Sequence, residues 1–106
     1  MGYVTLQHRL GNVLLMPRIQ VNKGFEKKAK KLFAKHPDKR KRVTAALQQL
    51  AEDPRYPSLA TKKYDEANDV WQSYIEQGTP GAWRVWWRWS KTEENTIVVL
   101  SFGPHP

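Results

Sequence analysis

Residues 83–89 read Trp83-Arg84-Val85-Trp86-Trp87-Arg88-Trp89, and this stretch decides the fold. Successive side chains of a β-strand point to opposite faces of a sheet. One face would therefore be apolar enough to pack against helices, with Trp83, Val85, Trp87 and Trp89. The opposite face would suit a phosphate and a base, with Arg84, Trp86 and Arg88. We expect this one strand to contribute to both the core and a functional site.

The flanking sequence predicts an α+β fold with the element order β-α-α-β-β-β. Residues 18–22 alternate like a short strand, and apolar residues then recur at helical spacing over residues 25–36. A second helical pattern follows Asp38, the expected N-cap, and stops at Asp53-Pro54. Residues 70–75, 82–89 and 96–102 are rich in strand-forming residues. These patterns predict an antiparallel sheet packed on an N-terminal helical hairpin.

Length and composition indicate one domain without a cofactor. The chain has 106 residues, which allows a single core, and we place the domain at residues 16–106 after an N-terminal extension at residues 1–15. It has no cysteine, and its three histidines lie far apart, so we expect neither disulfides nor a metal site. No long apolar run or signal-peptide cleavage pattern occurs, which predicts a cytoplasmic protein that does not bind membranes.

The net charge of +8 is concentrated in the predicted hairpin. Between residues 23 and 42 only Glu26 and Asp38 oppose ten basic residues, namely Lys23, Lys27, Lys28, Lys30, Lys31, Lys35, Lys39, Arg40, Lys41 and Arg42. Such segregated charge is typical of proteins that bind a polyanion or an acidic protein. The alternative is a solvated, lysine-rich helix face.

The chain resembles the RelE/ParE superfamily of bacterial toxins from type II toxin–antitoxin pairs. The resemblance covers residues 16–106 and includes the predicted hairpin and the approach to the second strand, Leu59-Ala60-Thr61-Lys62-Lys63. It also includes the start of the first helix, Phe25-Glu26-Lys27-Lys28-Ala29-Lys30-Lys31-Leu32. Its most specific parts are the strand with Arg84 and the closing Leu100-Ser101-Phe102-Gly103-Pro104-His105.

In the RelE-like ribonuclease branch an arginine on the third strand precedes an aliphatic and an aromatic residue, as in Arg84-Val85-Trp86. A histidine just beyond the last strand is functional in YoeB-like members, and His105 stands at that position. The resemblance implies an mRNA interferase, a metal-independent endoribonuclease that cleaves mRNA on the ribosome and inhibits translation. It also implies a cognate antitoxin, through which the complex would bind operator DNA.

These residue types suit RNA cleavage on chemical grounds. A guanidinium such as that of Arg84 can bind two phosphate oxygens, and an imidazole such as that of His105 can move a proton near neutral pH. Lys63 completes the catalytic candidates, although the general base is unassigned. The expected RNA-binding residues are Lys27, Lys30, Lys31, Lys62, Tyr74, Trp86 and Arg88.

Other interpretations remain open. Two strand lysines of RelE are replaced by Gln72 and Tyr74, which favours a ParE-like inhibitor of DNA gyrase that does not cleave RNA. A non-catalytic nucleic-acid-binding or interaction module on the same scaffold is a third possibility. Arg84 could also pair with Glu93 or Glu94, and His105 could be a solvated terminal residue.

Overall fold

The computed structural model describes residues 17–104, and these residues form one α+β unit. The elements in chain order are strand β1 (Arg18–Val21), helices α1 (Lys23–Lys35) and α2 (Lys39–Glu52), a 3-10 turn (Pro57–Leu59), and strands β2 (Lys62–Asp65), β3 (Val70–Tyr74), β4 (Trp83–Trp89) and β5 (Thr96–Pro104). The fold class expected from the sequence is confirmed. The extension at residues 1–15 and His105 lie outside the described residues.

The sheet has the strand order β1-β5-β4-β3-β2. Strand β1 is parallel to β5, and the other neighbouring strands are antiparallel. The sheet is therefore mixed, where the sequence predicted an antiparallel one. Strand β2 was not predicted, since its four residues, Lys62-Lys63-Tyr64-Asp65, show no apolar alternation.

The two helices pack on one face of the sheet through apolar residues three or four positions apart. Val43, Ala46 and Leu50 of α2 are buried, whereas α1 contributes partly buried residues such as Phe25 and Phe33. Asp38 occupies the N-cap position of α2 as expected, but its side chain makes no capping hydrogen bond. Within residues 17–104, neither helix is long and apolar enough to cross a membrane.

Strand β4 supplies the centre of the core. Trp83, Val85 and Trp87 are buried, and Trp89 packs at its margin. The Trp87 indole N–H donates to Ser73 Oγ at 2.9 Å, so this buried donor is satisfied. Burying one large apolar side chain contributes about 1.5–3 kcal/mol to stability. Because Trp83, Val85 and Trp87 lie on the same face of β4, that face packs against the helices.

A one-residue register shift in β5 changes which of its side chains reach the core. Trp87 pairs with Val99 and Trp86 pairs with Ser101, which leaves Leu100 as an extra residue. Val99 and Phe102 are both fully buried as a result. Without the shift, strict alternation would turn Ser101 inward and Phe102 outward. The bulge places Ser101 on the face opposite the helices.

A buried carboxylate, Glu76, ties the start of β4 to α2. Its side chain is 8% exposed, and its Oε2 accepts hydrogen bonds from Lys39 Nζ and Arg42 Nη1, both at 2.7 Å. Its Oε1 accepts from the backbone N–H of Trp83 at 3.2 Å. Burial alone would raise the pKa of Glu76, but these hydrogen bonds outweigh it and hold the pKa below its ordinary value. The residue before Arg84 is thereby held against the helical layer.

Candidate nucleic-acid interface

The sheet face opposite the helices presents two rows of side chains that run across the strands. Residues paired across neighbouring strands share a face of the sheet. The first row follows the pairs Lys62–Gln72, Gln72–Trp86 and Trp86–Ser101. The second row follows the pairs Tyr74–Arg84 and Arg84–Gly103. We call these two rows the open-face site.

Arg84 lies half-buried at the centre of the second row. Its guanidinium carbon is 4.7 Å from the centroid of the Tyr74 ring, and its Nη1 donates to Gln72 Oε1 at a long 3.5 Å. Its Nε is buried and has no hydrogen-bond partner among residues 17–104. Gly103, its neighbour on β5, offers no side chain to pair with it. The cation is therefore fixed in place but only partly satisfied.

Gln72 connects the two rows. It is 1% exposed, and its Oε1 accepts from the Trp86 indole N–H at 3.2 Å as well as from Arg84. Its own Nε2 is a second buried donor that lacks a partner in the described part of the chain. The Trp86 ring lies 5.8 Å from that of Tyr64, which is 51% exposed. The amide thus orients an arginine and a half-exposed aromatic pair side by side.

Lysine 28 reaches this face from helix α1. Its Nζ donates to Ser101 Oγ at 2.6 Å, and Ser101 is the strand partner of Trp86. The start of α1 is held against β5 by the Asn22 side chain, which donates to the carbonyl oxygen of Leu100 at 3.1 Å. Strand β1 pairs only with residues 96–99 of β5, so it does not lie between α1 and Ser101. Helical spacing gave no sign of this contact, because it depends on the β5 bulge.

The structure does not bring Lys63 to Arg84, contrary to the expectation that both act at one site. Lys63 pairs with Trp71, which stacks on the buried Trp87 on the helix side of the sheet. Its Nζ lies 2.8 Å from Asp69 and 4.6 Å from the centroid of the Trp71 ring. The hydrogen bond to Asp69 is the main reason why the pKa of Lys63 is raised. Because side chains alternate, its neighbour Lys62 faces the open-face site instead.

The remaining predicted residues are distributed over two regions. Arg88 pairs with Val98 on the open face and donates to the backbone oxygen of Trp89 at 3.3 Å. The three lysines of α1 that were predicted to bind RNA are all exposed, namely Lys27, Lys30 and Lys31. Arg84 makes no ion pair with Glu93 or Glu94 in residues 17–104, and Glu93 accepts a hydrogen bond from Gln20 instead. His105 is outside the described residues, but Pro104 pairs with Trp83, next to Arg84.

The open-face site combines features that bind RNA. Cationic groups bind phosphate oxygens, and exposed aromatic rings stack on unpaired bases. Glutamine 72 and Ser101 were missed as site residues by the sequence reasoning. A polar residue at an alternating position of an aromatic strand is the one signal that Gln72 offered.

Comparisons with known proteins show which solved structures have a similar fold. No protein-family model matches the chain, and no curated protein sequence matches it. Among solved structures, YafQ from Escherichia coli strain BL21(DE3) superposes with a TM-score of 0.62 at 12% identity, over 84% of this chain and 93% of that one. The chain has the fold of the RelE-like toxins.

Two further structures share the RelE-like fold. The conserved hypothetical protein HP0892 from Helicobacter pylori matches with a TM-score of 0.57 at 22% identity, over 85% of this chain and 96% of that one. A copper-bound mutant toxin from the same organism matches with a TM-score of 0.58 at 15% identity and the same coverage. At these identities the likeness establishes the fold, and the function has to be argued from the site.

Proposed function

We propose that the protein is the toxin of a type II toxin–antitoxin pair and that it cleaves mRNA on the ribosome at the open-face site. One observation carries this proposal, namely the incompletely paired guanidinium of Arg84 between an aromatic ring and a buried amide. A buried donor without an acceptor costs about 1–3 kcal/mol. A bound phosphate oxygen would remove that cost. The RelE-like fold and the toxin among the matching structures support the same proposal.

The proposed reaction needs only the RNA and side chains. The 2′-hydroxyl attacks the adjacent phosphorus, a bond from the 2′-oxygen to phosphorus forms, and the bond from phosphorus to the 5′-oxygen breaks. A base takes the 2′ proton, and an acid returns a proton to the departing 5′-oxygen. Arg84 stabilises the negative charge that builds up on the phosphate oxygens. His105 is the proposed acid–base group, since it comes two residues after Gly103, the strand partner of Arg84.

The aromatic and basic residues around Arg84 provide binding. Trp86, with Tyr64 beside it, would stack on an unpaired base, which contributes roughly 1–3 kcal/mol per base. The exposed lysines 27, 30 and 31 of α1 would bind ribosomal RNA. The cognate antitoxin would carry acidic residues that neutralise this charge, and the complex would bind operator DNA through the antitoxin. The protein acts in the cytoplasm under this proposal.

The proposal is tested by adding purified protein to ribosomes that translate a defined mRNA and mapping the 5′ ends of the products. We expect cuts in the ribosome-bound mRNA, and we expect Arg84→Ala and His105→Ala to lower the cleavage rate by about 100-fold or more. Lys91→Gln, an exposed charge change in the β4–β5 connection, is the control. Cleavage and growth arrest that persist in both site variants would refute the assignment.

The three structures described above do not support the DNA gyrase alternative. A supercoiling assay with the same preparations separates it from the proposal, since a gyrase inhibitor would block supercoiling and leave mRNA intact. A non-catalytic binding module would bind RNA in a salt-dependent manner without cutting it or arresting growth.

A further inference from the structure

The open-face site has a cation at each end of its first row. One of these cations comes from a strand, and the other comes from helix α1. Lys62 begins the row on β2, and Lys28 of α1 ends it through its hydrogen bond to Ser101. Gln72 and Trp86 lie between them. Strands are spaced by about 4.8 Å, so the row measures roughly 14 Å from β2 to β5. Arg84 lies in the neighbouring row, between the two lysines rather than beyond either.

We infer that Lys28 is a phosphate-binding residue of the site and that RNA crosses the strands from Lys62 to Lys28, with the phosphate at Arg84 between them. This inference rests on the proposed function and adds the direction of the substrate. Three cations placed in this way would contact successive parts of one sugar–phosphate backbone. Trp86, in the middle of the row, would stack on a base that leaves the backbone there.

The position of Lys28 is set by contacts that hold α1 against β5. Asn22 fixes the start of α1 to β5, and the Phe25 ring packs on Phe102 at 4.9 Å between centroids. Lys28 follows Phe25 by three residues and is therefore on a neighbouring part of the helix surface. Ser101 faces the open side only because of the β5 bulge. An exposed lysine gains a defined location in this way, at Ser101, the strand partner of Trp86.

The proposed direction of the RNA backbone also follows from the residues that lie along β4 on the open face. Along β4 the open face changes from Arg84 through Trp86 to Arg88, and Arg88 is already bonded to a backbone carbonyl oxygen. At the other end, the Tyr74 ring covers one side of Arg84. Lys62, Arg84 and Lys28 are thus arranged across the strands, and an RNA backbone that crosses the strands can contact all three.

The test is the salt dependence of binding to a fluorescein-labelled single-stranded 2′-O-methyl RNA, which lacks the attacking hydroxyl. Each phosphate contact on a single strand contributes about 0.7 to the slope of log K against log salt. We expect Lys28→Gln to reduce the slope by about 0.7 and to weaken binding about tenfold. Lys62→Gln should do the same. Lys23→Gln is the control, since it removes the same charge from the same helix about 140° around its axis.

Ser101→Ala provides a second and independent variant, because it keeps every charge and removes only the group that positions Lys28. It should weaken binding by roughly two- to threefold, and it should add nothing to Lys28→Gln in the double variant. Equal slopes of log K against log salt for Lys28→Gln and Lys23→Gln would overturn the inference. Additive effects of Lys28→Gln and Ser101→Ala on binding would also overturn it, and so would an absence of salt-dependent binding. Failure of the wild-type protein to cut mRNA would instead refute the proposed function.

Discussion

Removal of the Glu76 carboxylate should destabilise the protein and loosen the start of β4. The Lys39 side chain is 21% exposed and the Arg42 side chain is 61% exposed. Without the carboxylate, water can therefore hydrate Arg42 more fully than Lys39. The exposed Arg42 pair is worth at most about 1 kcal/mol, and the Lys39 hydrogen bond to a charged acceptor about 1.5–3 kcal/mol. In Glu76→Ala the Trp83 N–H loses its acceptor as well, which costs about 1–3 kcal/mol.

These contributions overlap, so we expect a loss of about 3–5 kcal/mol in the free energy of unfolding for Glu76→Ala. Glu76→Gln retains an oxygen for the Trp83 N–H but replaces the oxygen that accepts from Lys39 and Arg42 with an NH2 group, and it should lose about 1.5–3 kcal/mol. Urea unfolding followed by tryptophan fluorescence measures both values, since four of the five tryptophans lie in β4. A loss below about 0.5 kcal/mol in Glu76→Ala would refute the structural role of the carboxylate.

The same carboxylate predicts a pH dependence. Its pKa is lowered in the folded protein from the ordinary value of 4.5, so its contribution is complete above about pH 4.5 and is lost as the pH falls through the lowered pKa. The wild-type protein should therefore lose stability on acidification below about pH 4.5. Glu76→Gln should lack that part of the pH dependence. Parallel curves for the two proteins between pH 5 and pH 3 would contradict the assigned pairing, since the difference between them must shrink with acidification.

Three further predictions concern the sheet. Trp87→Phe should lower the free energy of unfolding by about 2–3 kcal/mol in urea titrations, because it leaves a gap and removes the hydrogen bond to Ser73; an unchanged midpoint would contradict the packing. Tyr74→Leu should cost about 1 kcal/mol of RNA affinity in the fluorescence assay, since it removes the ring beside Arg84; full affinity would contradict this. Lys62→Gln should reduce RNA affinity more than Lys63→Gln in the same assay, and the reverse order would contradict the strand register.

The fold could be predicted because the burial of β4 follows strict alternation. Trp83, Val85 and Trp87 are large and apolar at every second position, and burial of that face outweighs other arrangements. Strand β2 could not be predicted in this way. Its two lysines and Asp65 pair through the backbone, and strand pairing of a polar edge leaves no apolar period in the sequence.

The sheet faces of the candidate site residues could be predicted in part for the same reason. The face of Arg84 and Trp86 follows from the alternation of β4, whereas the face of Lys63 depends on a strand that sequence patterns do not reveal. Lys28 meets Ser101 through the placement of a helix and a one-residue bulge, which are both tertiary features. The roles of Arg84 and of His105 stay predictions.

The central claim is that the open-face site holds the phosphate at which RNA is cut. A structure of the protein on a ribosome programmed with mRNA that carries a 2′-deoxy nucleotide at the cut position tests it most directly. We predict the uncut phosphate within about 3 Å of the Arg84 guanidinium, with the backbone running across the strands towards Lys28. A phosphate bound on the helical face, with the open face empty, would contradict the account.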